Sequence, residues 1–80
     1  MADDAAIAKA LMQLAHERGA EKTFCPSEAA RLLCGADWRA HMEDVRRVAA
    51  GLPLVATQGG RRVDLRDARG PVRLGLDPAR

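Results

Sequence analysis

Gly35 and Ala36 alone separate two stretches of helical periodicity, and so short a connection forces a sharp turn between them. The second stretch, Asp37 to Gly51 (DWRAHMEDVRRVAAG), predicts one amphipathic helix. Asp37 is its expected cap, and Trp38, Met42, Val45 and Ala49 share an apolar face beside a charged face of Arg39, Glu43, Arg46 and Arg47. Gly51 closes it and Pro53 bars continuation. The first stretch starts with Cys25 as cap, Pro26 at the first helical position and Glu28 at the third, and ends at Gly35. Ala29, Ala30 and Leu33 form its inner face. At about nine residues it is too short to persist alone, so it must pack on its neighbours.

Upstream, Asp3 or Asp4 can cap a helix over about residues 4–18, with Ile7, Ala10, Leu11 and Leu14 buried and Gly19 as its stop. Thr23 and Phe24 in the following link favour a brief strand. Downstream, Leu54–Gln58 and Arg62–Leu65 predict a hairpin across Gly59-Gly60, with a polar, basic tip of Gln58, Arg61 and Arg62. After a second turn (DARGP, Asp67–Pro71), Val72, Leu74 and Leu76 alternate with Arg73 and Gly75 as in a half-buried strand. The expectation is a single domain over residues 1–80, mainly α with a small antiparallel β-sheet, frayed at 1–3 and 77–80. The order of elements suggests a winged helix-turn-helix: three helices and a β-hairpin wing.

A chain of 80 residues buries only a thin core. Phe24 is the only phenylalanine, Trp38 the only tryptophan, and tyrosine is absent, so the core is expected to be aliphatic and alanine-rich. Net charge is +2 but uneven: residues 1–37 carry four basic and six acidic side chains, residues 38–80 nine and five. Eleven of the thirteen basic residues are arginine, whose planar fork of donors suits phosphate and carboxylate. The N-terminus is acidic and helical, unlike a signal peptide, and no apolar run is long enough for a bilayer. A cytoplasmic location with no membrane contact, and reduced Cys25 and Cys34, is the expectation.

Three stretches together, KTFCPSEAARLL (Lys22–Leu33), WRAHMEDVRRVAAGL (Trp38–Leu52) and ARGPVRLGL (Ala68–Leu76), resemble a family of small bacterial domains catalogued as a domain of unknown function. The resemblance spans nearly the whole chain to about Leu76. It implies a winged-helix fold and implies no activity, because a fold does not fix a function.

Two functional classes are open. In nucleic-acid binding, the helix over 37–51 would read the DNA groove with Arg39, Arg46 and Arg47. The hairpin over 54–65 would present Arg61 and Arg62, while Arg66, Arg69 and Arg73 would add phosphate contacts. Against this, Glu43 sits four residues from both Arg39 and Arg47 and can pair with either, and Glu43 and Asp44 repel phosphate. The alternative is a protein-docking module with no DNA binding, for which Leu32 and Met12, off the main apolar faces, are a candidate patch. No enzyme activity is expected: Cys25 at a helix N-terminus has no evident base. No cofactor or metal is expected either, since His16, Cys25, Cys34 and His41 match no zinc spacing.

Overall fold

A computed structural model of the chain describes residues 3–19 and 21–77. In order it has α1 (Asp4–Arg18), α2 (Pro26–Cys34), a 3-10 segment (Gly35–His41), α3 (Met42–Ala50), β1 (Leu54–Gln58), β2 (Arg61–Val63) and β3 (Arg73–Leu76). This is a mixed α/β architecture with one three-stranded antiparallel sheet.

Local chemistry sets the first two helices. The Asp3 carboxylate accepts the Ala6 N–H at 2.8 Å, so Asp3 is the cap of α1. At α2 the Glu28 carboxylate reaches back to the Cys25 N–H at 2.8 Å and takes the Arg18 guanidinium at 2.7 Å, which ties the two helices together. Burial alone would raise the Glu28 carboxyl; the Cys25 N–H and Arg18 outweigh it and hold the group below its ordinary value of 4.5.

The helix expected over 37–51 is not continuous. Its first part is wound as the 3-10 segment, which starts at Gly35 directly after α2, and Asp37 lies inside that segment instead of capping. The α-helix proper runs only over Met42–Ala50. No free linker remains between the helices, so the tighter 3-10 winding makes the turn. It leaves Trp38 half-buried against the core, with the Arg31 and Arg39 guanidinium carbons each 4.5 Å from the ring centroid. Val45 and Ala49 on α3 are buried as the periodicity requires.

β1 is the central strand of the sheet, between β2 and β3, and the far edge of β3 takes Phe24. Leu74 faces Ala56 of β1 on one side and Phe24 on the other, so the expected brief strand at Thr23–Phe24 is a single bridge. Phe24 and Leu74 exchange both backbone hydrogen bonds, at 2.8 and 2.7 Å. β2 pairs with the outer edge of β1 across Gly59 and Gly60, both at positive φ, as a tight hairpin turn requires. The second hairpin strand was expected at 62–65 but lies at 61–63. Asp64 ends it: its side chain accepts the Arg66 N–H, and its carbonyl accepts the N–H groups of Asp67 and Ala68. The turn drops Leu65 into the core.

The core joins Ile7, Leu11 and Leu14 of α1, Ala29 and Ala30 of α2, Val45 and Ala49 of α3, and Phe24, Ala56, Leu65, Val72 and Leu74. Among the described residues no buried side-chain nitrogen or oxygen lacks a partner, and no helix is long and apolar enough to cross a membrane. Of the termini expected to fray, residues 1–2 and 78–80 lie outside the described residues. Asp77 donates its N–H to the Pro53 carbonyl.

Phe24→Ala should cost about 3–5 kcal/mol, a large share of the ~5–15 kcal/mol typical of a small domain, and urea titration should show a marginal or unfolded variant. Glu28 has a depressed folded-state value, so its contribution is complete above 4.5 and fades as pH falls through the folded value. Glu28→Gln should therefore be less stable than wild type near neutral pH, and the gap should narrow as pH falls below the ordinary carboxylate range when urea midpoints are compared.

Candidate nucleic-acid interface

Between β1 and β3 the chain makes an excursion, Gly59–Val72, that contains β2 and the Asp64 turn. Five of the eight arginines singled out by sequence lie on it or at its end: Arg61, Arg62, Arg66, Arg69 and Arg73. The other three, Arg39, Arg46 and Arg47, lie on the 3-10 segment and α3. The structure sorts these side chains by what occupies the guanidinium fork.

Arg46, Arg47 and Arg73 are engaged within the chain. Arg46 donates to the carbonyls of Ala68 (2.7 Å) and Gly70 (2.9 Å), tying α3 to the excursion. Arg47 makes a two-pronged pair with the Asp4 carboxylate, both contacts at 2.9 Å, and a longer one with Asp44 at 3.3 Å. Its expected helical partner Glu43 is not used. Hydrogen bonding to Arg47 lowers the Asp4 carboxyl, and the same bonds raise Arg47. Arg73 donates to the Thr23 hydroxyl and carbonyl and lies 2.9 Å from the Cys25 sulfur, fastening β3 to the link before α2.

The remaining arginines are freer. Arg39 stacks on Trp38 and is otherwise exposed. Arg62 is exposed and stands 3.7 Å from the Asp77 carboxylate, at the long end of ion pairing. Arg61, Arg66 and Arg69 are exposed, and their guanidinium groups meet no acceptor among the described residues. The outward face of α3 carries Glu43 and Asp44 beside the already paired Arg47. A groove of about 390 Å³ separates α3 from the excursion, lined by Glu43, Arg46, Arg47, Ala50, Leu65, Arg66 and Ala68.

Sequence reasoning placed Gln58 only at the polar hairpin tip and missed its role, and it missed Arg31 at the Trp38 ring. Gln58 donates from β1 to the carbonyls of Arg69 and Pro71. Arg31 shares Trp38 with Arg39. A glutamine flanking a Gly-Gly turn carries no signal of such a role, and neither does an arginine on a short helix. Leu32 is 68 % exposed on α2, whereas Met12 is half-buried. Among the described residues no three His, Cys, Asp or Glu side chains gather as a metal-ligand set.

The family model described as protein of unknown function (DUF3253) matches residues 4–77, and a search of curated proteins finds no match. The matched span takes in every element from α1 to β3.

Asp4→Asn and Arg47→Ala should each lower stability slightly at low salt, and the double variant should lose less than the two together. The coupling should vanish near 1 M salt, where the screening length is about 3 Å; thermal melts of the four proteins measure it.

Proposed function

The chain belongs to the DUF3253 family of proteins of unknown function, and from that premise and the geometry above we propose that it is a winged-helix protein that binds DNA through its wing. The order α1, bridge, α2, α3, β1, β3 supports the winged-helix reading, with Gly59–Val72 as the wing. The observation that carries the binding reading is the set of three exposed guanidiniums without an acceptor among the described residues, Arg61, Arg66 and Arg69, on that one excursion. Asp64 partly offsets them but is spent on its own turn, and Asp67 is exposed among them.

The contact is therefore to phosphate, with Arg39 and Arg62 as flanking donors. α3 was expected to read bases, but Arg46 and Arg47 are spent inside the fold and Glu43 and Asp44 face outward. A helix face of that charge is repelled by the duplex, so binding is weakly dependent on sequence. Arginines that replace counterions make affinity fall with salt by about 0.9 log units per decade for each phosphate neutralised.

The competing reading, a protein-docking module, draws on the same acidic α3 face and on Leu32, the one large apolar side chain strongly exposed among the described residues. Fluorescence anisotropy with random-sequence duplex DNA at two salt concentrations separates the two. Wild type should bind at low salt and weaken steeply as salt rises. Arg61→Ala, Arg66→Ala and Arg69→Ala combined should flatten the salt slope by about 2–3 units, while Arg47→Ala leaves it unchanged. Absence of binding by wild type at low salt would discard the DNA reading and leave the docking module.

A further inference from the structure

The segment Ala68–Pro71 is held in an unusual way. Four consecutive backbone carbonyls accept from only two side chains, in alternation. Arg46 of α3 takes Ala68 and Gly70, and Gln58 of β1 takes Arg69 and Pro71. The two side chains come from different elements, α3 and β1, and their acceptors interleave along the segment. Arg46 and Gln58 therefore hold the segment to α3 and to β1 at once. Gly70 adopts φ of +82°, a conformation that a side chain at this position would strain.

The grip lies between two hollows that border the segment. The groove of about 390 Å³ opens under Leu65, Arg66 and Ala68, and a second hollow of about 280 Å³ opens under Gly70, Pro71 and Val72. Arg46 lines both, so its guanidinium is the polar strut that crosses from α3 between them. Arg69, whose own guanidinium meets no acceptor among the described residues, is carried at the centre of this clamped segment.

We infer that Arg46 and Gln58 are positioning residues which lock Ala68–Pro71 as a rigid platform and so aim Arg69 at a phosphodiester of the bound duplex. The inference rests on the DNA-binding reading and deepens it. Arg46 contacts no phosphate in this scheme: its fork is filled by carbonyls. Gln58 carries no charge, so any effect of its removal on salt dependence must pass through another residue. Arg69 is the contact residue, and fixing its backbone in advance lowers the entropy lost when it meets phosphate.

The test uses the full chain with Arg46→Lys, Gln58→Ala and Arg69→Ala. In the absence of DNA, 15N relaxation and amide exchange at Arg69 and Gly70 should show a stiff segment in wild type and a mobile one in Arg46→Lys and Gln58→Ala. A lysine keeps the charge but cannot span two carbonyls as a planar fork. In salt-dependent anisotropy with random-sequence duplex DNA, Gln58→Ala and Arg46→Lys should each weaken binding about tenfold and lower the slope by about 0.9, matching Arg69→Ala. Adding Arg69→Ala to either should cost nothing more. A merely structural role would lower the melting temperature and leave the slope of the folded protein unchanged. The inference is overturned if wild type binds but Arg46→Lys keeps full affinity, or if Gln58→Ala leaves the slope and the segment's order as in wild type. If wild type binds no DNA at all, the DNA reading fails and this inference falls with it.

Discussion

The exchange of two backbone hydrogen bonds between Phe24 and Leu74 ties the helical half to the sheet half at the centre of their shared core. An 80-residue chain cannot afford two cores, and three short helices or a three-stranded sheet alone would bury too little. Phe24 supplies the largest fully buried side chain at the point where the link between α1 and α2 touches β3. Leu74, its partner, also pairs with Ala56 of β1. β3 thus touches the link before α2 through Phe24 and β1 through Ala56, and together with the Arg46 bonds it sets the position of the excursion relative to α3. Arg73, next to Leu74, reinforces the junction from outside by gripping Thr23 and approaching Cys25.

Arginine does two different jobs on this framework. Where a guanidinium finds carbonyls or a carboxylate, it acts as a fastener: Arg73 joins β3 to the link, Arg46 joins α3 to the excursion, and Arg47 joins α3 to the start of α1. Where it finds none among the described residues, as at Arg61, Arg66 and Arg69, its charge remains available to a ligand. The fasteners help to set the geometry in which the free arginines are displayed. A substitution in one group therefore acts mainly on stability and order, and in the other mainly on binding.

Much of the fold was legible because its signals are local. The Asp3 cap, the Gly19 stop, and the Cys25-Pro26-Glu28 start each act within one helical turn, and α1 and α2 lie where those residues place them. The 3-10 winding of Gly35–His41 was not legible. It arises from the absence of slack between α2 and α3, and from Trp38 having to reach the core while two arginines cover its ring. The early end of β2 has a similar origin, since Asp64 was read as a strand residue by pattern but serves as the acceptor of three N–H groups. At the candidate site the residue types were visible, and the partners were not. Arg46 lies 22 and 24 residues from the carbonyls it holds, and Arg47 lies 43 residues from Asp4. Periodicity and spacing cannot report pairs that only the finished fold brings together.

That distinction bears on how a basic surface should be read. A count of arginines treats every guanidinium as equally available, and on that count α3 looks like a reading helix. Once the occupied forks are set aside, α3 presents two carboxylates and the positive charge has moved to the excursion. A recognition helix must reach base edges with donors it has not already used. A backbone-gripping wing needs only charge held at a fixed height above the surface. The Ala68–Pro71 segment, with its carbonyls taken from α3 and from β1 and Arg69 left without an acceptor among the described residues, meets the second requirement and not the first.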